Sequence, residues 1–417
     1  MRTLKSILIL TFAINVFKVI IAFKVLQISQ FQDYDLVKFY KPTAESFSEV
    51  YILNDTNFSK LSAFVVPVFP LFLKIFGFNI LAQSVYIILF ILILILVYKI
   101  TLKLSSKKVA GIAILLLSFE PSLFISSLSL SPELLFSFVL TLALYFGVCK
   151  PIKKTEINYL ILAILIGISV LIRPIALIMI ICLTIFWLAN YYQTSQSVFF
   201  AMSVIASVFA LIWSFRNFLI HGFFNVSSIS SNNIFWYEGV PAFSEAKGIS
   251  FEEAKSIEGG LKIQLIGNNP SVIEEYKYNS TRGLELIFNN PIGFIQSHIK
   301  GVGKLLFGVY KSKFRIIDEK IFGIYEQAIQ NAHFVILGLI TLFIWILFFT
   351  GVSSIYKLDF SNALVTSIII VTILLPATGQ IAYARFRAPV VPFICIIAAL
   401  GVQNILHKNC KVVKWKK

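Results

Sequence analysis

Apolar runs of close to 20 residues recur along this chain from one end to the other, and they constrain it more than any motif does. Wound as an α-helix at about 1.5 Å per residue, a run of that length matches the hydrocarbon thickness of a bilayer. Inside lipid the backbone must satisfy its own hydrogen bonds, so such runs have to be helical. The 417 residues are 58% hydrophobic and only 13% charged, where soluble domains carry roughly 25% charged residues. The fold class that follows is an all-α polytopic membrane protein. Spans are expected near 6–23, 81–102, 108–127, 133–149, 157–172, 175–192, 197–219, 334–354, 361–380 and 388–405, about ten transmembrane helices in all.

A net charge of +16 invites a nucleic-acid reading, but the placement of the charge argues for topology. With the N-terminus cytoplasmic and the spans alternating, 15 lysines and arginines fall on the inner segments against two acids, Glu156 and Asp359. The remainder of the chain holds the other 21 of the 36 basic residues together with 18 of the 20 acids. This is the positive-inside pattern, and it puts both termini in the cytoplasm. No nucleic-acid partner is needed to explain the charge. Arg2 and Lys5 precede the first span without a small-residue cleavage site after it, as in a retained anchor. Cys149, Cys182, Cys395 and Cys410 show no metal-ligand spacing, and the four histidines are scattered. No metal and no certain cofactor is expected. No Walker-type phosphate loop or dinucleotide fingerprint is present, which weighs against an ATP-driven pump.

The chain divides by polarity. Residues 1–219 read as an N-terminal transmembrane module that includes a first outside loop, 24–80. In that loop, Leu61 to Gly77 carries Pro67, Pro70 and Lys74 and reads as a juxtamembrane helix lying on the outer interface. Residues 220–332 are too long for a joint and read as an extracytoplasmic loop domain with helices near 251–262, 272–288 and 292–309. Residues 333–417 read as a C-terminal transmembrane module.

This topology gathers Asp33, Asp35, Glu120, Glu133, Arg173, Arg216, Asn217, Arg385 and Arg387 at the outer face. Guanidinium forks suit a phosphate, and carboxylates suit removal of a hydroxyl proton. Each residue also has a plainer role open to it. Asp33 can cap a short helix, Asp35 can sit in its first turn, and Glu133 follows Ser131-Pro132 at a helix start. Arg173, before Pro174, can be an interfacial anchor. Arg385 and Arg387 run against the positive-inside bias, which favours a functional reading. Lys18 lies inside the first span, where it either serves function or snorkels to the interface.

In order and spacing, several stretches resemble the GT-C superfamily of integral-membrane glycosyltransferases, in particular bacterial relatives of dolichyl-phosphate-mannose protein mannosyltransferases and of lipid A aminoarabinose transferases. They are Asp35 with Tyr40 and Ala44; Pro67, Pro70, Phe76 and Gly77; Ser131-Pro132-Glu133-Leu134; and Gly167, Leu171, Arg173 and Pro174. Trp213 to Asn217, Asn290-Pro291, and Arg385, Arg387, Pro389 and Pro392 continue the series. The chain departs from the pattern at Ile212, where a proline is usual, and in a one-residue longer Asp-to-Tyr spacing that leaves Asp33 and Asp35 both open as the base. It lacks the Asp-Glu pair found in some relatives, so no metal is inferred from the resemblance.

The resemblance implies an inverting transfer of one sugar from a polyprenyl-phosphate donor to an acceptor hydroxyl of a lipid, glycan or protein. Asp35, or Asp33, would be the base. Arg385 and Arg387, with Arg173 or Arg216, would bind the donor phosphate, and Glu120, Glu133 and Asn217 would stand near. It also implies a bacterial plasma-membrane protein with an extracytoplasmic active site. A polysaccharide polymerase or ligase using His221, His298, Arg282 and Arg315 is the alternative. A lipid-linked glycan flippase would want charge along several spans, most of which lack it. The topology has a direct test. A cysteine placed at Ser250 should react with an impermeant thiol reagent in intact cells, and one at Ser195 or Lys416 should react only after the membrane is opened. Labelling at Lys416 in intact cells would overturn the topology.

Overall fold

The computed structural model describes residues 2–25, 34–52, 55–149, 156–181, 184, 197–355 and 383–406. Every secondary-structure element among these residues is helical. The longer α-helices are α1 (Arg2–Val25), α2 (Ser59–Phe64), α3 (Val68–Phe76), α4 (Ile80–Leu104), α5 (Lys107–Phe119), α6 (Pro121–Leu128), α7 (Pro132–Cys149), α8 (Glu156–Val170) and α9 (Ser197–His221). After them come α10 (Val240–Lys247), α11 (Phe251–Ile266), α12 (Val272–Asn289), α13 (Pro291–Phe307), α14 (Lys311–Ile321), α15 (Gln327–Ile355) and α16 (Val391–Leu406).

Six of the described helical segments are long and apolar enough to cross a bilayer: Leu4–Val25, Ile80–Leu104, Pro132–Cys149, Phe200–His221, Gln327–Val352 and Ala384–Leu406. The number rises to eight if two bent pairs each count as one span. The chain is an integral membrane protein. One bent pair is α5 with α6, which meet at 62° where a continuous span over 108–127 was expected. Proline disfavours helical backbone in the residue before it. Glu120 is accordingly extended (ψ 122°), and Pro121 restarts the helix at its first turn. The other pair is the helical stretch Thr56–Phe64 with α3, bent by 111° at Val65–Pro67, so the single interfacial helix expected over Leu61–Gly77 is two short ones. The helix expected at 157–172 is α8, whose apolar stretch Leu160–Val170 is short for a span. The spans expected at 175–192 and 361–380 lie largely or wholly outside the described residues.

One apolar core joins α3 to α9 with α15 and α16. The closest approach is between α15 and α16. A Cβ on Gly401 would collide with the Leu347 carbonyl oxygen, and one on Gly351 with that of Ile397. In lipid, helix association draws on close backbone packing through small residues instead of a hydrophobic drive. A second, smaller cluster of Phe235, Val240, Ala254 and Leu286 holds the polar segment between α9 and α15 together. There Arg282 donates to both oxygens of Glu258 (2.9 and 2.7 Å), and Ser271 and Glu274 form a capping box that starts α12.

Gly401→Ala should therefore force α15 and α16 apart, at a cost of about 1–3 kcal/mol, the usual scale of overpacking. It should show as a lower unfolding temperature in lipid nanodiscs. Gly338→Ala, on α15 but facing open space, should leave that temperature unchanged.

Candidate active site

Glu133 sits in the first turn of α7, which Pro132 opens, and its side chain is completely buried. A carboxylate so placed must be paired or it would not remain charged. Two arginines meet it. Arg173 Nη1 lies 3.1 Å from Glu133 Oε1. The Nε of Arg385 donates to the same oxygen. Arg385 reaches further, its Nη1 donating to Asp35 Oδ2 at 2.6 Å. One buried guanidinium thus links a fully buried acid to an acid whose side chain is 37% exposed. Asp35, Glu133, Arg173 and Arg385 form one cluster of two acids and two bases.

Local backbone explains how these side chains converge. Arg173 precedes Pro174, which holds it extended (φ −145°, ψ 120°) just past the end of α8. Arg385 lies in a single 3-10 turn, Ala384–Phe386, at the head of the helical segment ending in α16. Asp35 precedes a π-helical turn, Leu36–Tyr40, and its side chain makes no capping bond there, so the carboxylate is left for Arg385. Pro42 does not interrupt this segment: Lys41 is helical and the chain runs on through Lys41–Glu45. Phe386 packs near Arg173, whose guanidinium carbon is 5.8 Å from the ring centroid.

Tyrosines surround the cluster. Tyr40 ends the π turn and packs edge-on against Phe69 at 4.8 Å. Burial pushes the Tyr40 phenol up to about 12, with Arg173 and Arg385 pulling the other way, so it is a neutral donor at ordinary pH. Tyr86 of α4 donates to the Ser131 carbonyl (2.6 Å) and fixes the start of α7. Tyr383 lies two residues from Arg385 and stacks edge-on with Tyr310 and Phe386. Of these, sequence reasoning singled out only Tyr40, through its spacing from Asp35. The nearness of Tyr34 to Asp35 and of Tyr383 to Arg385 in the chain is the signal that could have found two more.

The other expected site residues lie in separate contacts. Arg387 is 1% exposed and bonds Glu120 Oε1 through Nε at 3.1 Å. Its Nη groups donate to the carbonyls of Leu305, Leu306 and Gly308 at the end of α13 (2.6, 2.9 and 3.1 Å). Four of its five N–H groups are therefore committed to protein acceptors. Glu120 also caps α6 by accepting from Leu123 N at 2.9 Å. The pair is a structural tie, where the sequence suggested a phosphate ligand. Arg216 donates to the carbonyls of Val50 and Ser62, and Asn217 to those of Asn225 and Val226. Arg216 thereby fastens the end of α9 to the segment around α2, and Asn217 ties it to the stretch that follows α9. Asp33 lies outside the described residues.

Lys18 does not snorkel. Its Nζ is buried between the rings of Phe90 and Phe124, at 5.1 and 4.6 Å from their centroids. Among the described residues no three His, Cys, Asp or Glu side chains converge as a metal site requires. The loop residues of the polymerase reading also stand apart. His221 contacts Ser62, His298 contacts the Phe294 carbonyl, and Arg282 is held by Glu258.

Residues 65–214 match the family model of dolichyl-phosphate-mannose-protein mannosyltransferase. That stretch carries Glu120, Glu133 and Arg173, while Asp35 and Arg385 lie outside it. The chain thus resembles the GT-C glycosyltransferases, as its motifs indicated. No curated protein matches it significantly. Among solved structures, the apo oligosaccharyltransferase of Archaeoglobus fulgidus aligns with a TM-score of 0.47 and 13% identity, covering 95% of this chain and 51% of that one. The same archaeal enzyme with an inhibitory peptide and a dolichol-phosphate gives 0.41 and 17%, covering 84% and 44%. With a tethered acceptor peptide it gives 0.42 and 12%, covering 95% and 50%. The chain spans about half the length of these structures.

The buried Arg387 tie has a testable consequence. Removing one partner of a buried pair typically costs about 3–5 kcal/mol, because the other charge is left unpaired. Arg387→Ala should sharply lower the unfolding temperature and the yield of folded protein. Arg387→Met combined with Glu120→Gln should recover part of the loss. A fully stable Arg387→Ala would show that the tie is not structural.

Proposed function

We propose that this protein is a glycosyltransferase that moves one sugar from a polyprenyl-phosphate donor to an acceptor hydroxyl at the extracytoplasmic face, with inversion at the anomeric carbon. The observation that carries this reading is the contact of Arg385 with both Asp35 and Glu133, on a turn that packs against α13 of the long polar segment. The family match of residues 65–214 supports it.

In this reading the acceptor oxygen attacks the anomeric carbon as its proton passes to Asp35, and the bond from that carbon to the phosphate oxygen breaks. Polyprenyl phosphate leaves with both bonding electrons. The negative charge that disappears from Asp35 on protonation reappears on the leaving phosphate. Arg385 can follow it from one to the other, since it already contacts Asp35 and retains Glu133 as an anchor. Arg173, less buried than Arg385, supplies the second positive charge. Glu133 holds both guanidinium groups in place before the donor arrives, and such preorganisation is what a transition-state charge needs. Arg216, Asn217, Glu120 and Arg387, committed to protein contacts, have no part in this step.

The test is transfer by purified protein in lipid nanodiscs, with a panel of undecaprenyl-phosphate monosaccharides as donors and undecaprenyl phosphate binding measured alongside. Asp35→Asn keeps the size of the side chain but cannot take the proton. It should lower transfer by about 10²–10⁴-fold, the usual worth of a general base, with binding of undecaprenyl phosphate retained. Arg385→Lys should weaken that binding, because the fork that spans two acids is lost. Undiminished transfer by Asp35→Asn would remove Asp35 from the chemistry.

A further inference from the structure

Two π-helical turns occur among the described residues, and they come from distant parts of the chain. One is Leu36–Tyr40, directly after Asp35. The other is Asn233–Gly239, in the polar segment between α9 and α15. Such turns are rare and are found disproportionately at functional sites. They carry a backbone cost, and here packing secures the second one tightly. A Cβ on Gly239 would lie 2.9 Å from the Gly283 carbonyl oxygen, and one on Gly283 would lie 2.7 Å from the Ile234 carbonyl carbon. The two glycines let α12 sit directly on the turn. Phe235 is buried beneath it, and Tyr237, two residues on, is left 38% exposed.

The polar segment that carries the second turn is fastened beside the first. Ser227 donates to the Phe64 carbonyl at 2.6 Å and Ser228 N to the Ala63 carbonyl at 2.9 Å, which binds the start of the polar segment to α2. Phe64 in turn stacks on Phe39 of the first turn, with centroids 4.9 Å apart. The Tyr237 hydroxyl lies within electrostatic reach of Asp35, Arg385, Tyr34 and Tyr383. Tyr34 is 67% exposed and Tyr383 36%. Three partly exposed tyrosines therefore lie in the neighbourhood of Asp35. Lys38 donates to the Tyr34 hydroxyl at 2.6 Å and steadies that ring.

We propose that Tyr237, with Tyr34 and Tyr383, forms the acceptor subsite and that the acceptor it takes is a pyranose ring. This rests on the transfer reaction proposed above and names its acceptor class. Tyrosine offers a rigid flat face and a hydroxyl at low entropic cost. A pyranose presents the complement, a face of C–H groups edged by hydroxyls. In this assignment the second π turn presents Tyr237 to an acceptor whose hydroxyl meets Asp35.

The experiment measures binding directly, by saturation-transfer NMR on the full chain in nanodiscs. The probes are methyl α-mannopyranoside and methyl β-glucopyranoside, set against a serine- and threonine-bearing peptide. At least one glycoside should receive saturation. Tyr237→Ala should weaken its binding about tenfold, the scale of one aromatic contact, while undecaprenyl phosphate binds within about twofold of the parent. Tyr237→Phe, which keeps the ring face, should restore most of the affinity. Saturation of the peptide alone, or of neither glycoside, overturns the assignment, as does unchanged glycoside binding by Tyr237→Ala. If the parent fails to bind undecaprenyl phosphate, the transfer reaction itself fails and takes this subsite with it. Normal phosphate binding without glycoside binding sinks the subsite alone.

Discussion

A carboxylate with no exposed surface, in the first turn of a membrane-length helix, cannot stand without partners, and Glu133 is such a carboxylate. Its desolvation cost is met by two guanidinium groups that arrive from elsewhere, Arg173 from just past α8 and Arg385 from 252 residues along the chain. The arrangement fixes three helix ends against one another. Proline is the device at two of them. Pro132 opens α7 so that Glu133 falls in its first turn, and Pro174 holds Arg173 off the helix and turned toward it. The Glu120–Arg387 pair repeats the scheme one layer away. Pro121 keeps Glu120 extended, and Arg387 caps the carbonyls that end α13. Two buried acid–arginine ties thus join the long polar segment and the last span to the N-terminal bundle.

The membrane character was legible because it is a property of length and composition, and the three loop helices because their periodicity was intact. Phe251–Ile266, Val272–Asn289 and Pro291–Phe307 start where they were expected to within a residue. The bend at Glu120 was legible in principle, since the residue before a proline resists helix, but the apolar run around it suggested one continuous span. The cluster itself was only half legible. The sequence could gather nine polar residues at one face by counting spans, but it could not say which acid meets which arginine. That partition depends on helix rotation and depth. Arg385 and Arg387 are two residues apart and part company because Arg385 lies within a 3-10 turn of three residues and Arg387 at its end, so their side chains point to different sides. One joins Asp35 and Glu133, the other a separate buried tie. The tyrosines were hidden for a related reason. A π turn breaks the 3.6-residue period on which pattern reading rests, so neither Tyr40 nor Tyr237 announced its direction.

The charge balance of the cluster bears on the order of events in the proposed reaction. Asp35 and Glu133 carry two negative charges, and Arg173 and Arg385 two positive ones. While Arg385 holds Asp35, the Oδ2 of that carboxylate is taken up by a guanidinium N–H. A donor phosphate competes for the same guanidinium. Once it draws Arg385 away, that oxygen is free to meet the acceptor hydroxyl. Glu133, fully buried and shared by both arginines, keeps Arg385 from swinging out altogether. Donor binding would therefore prepare the base, and an acceptor that arrives alone would meet a carboxylate still occupied. The partial exposure of Asp35 fits this division of labour, because the acid that must exchange partners is the one left partly uncovered.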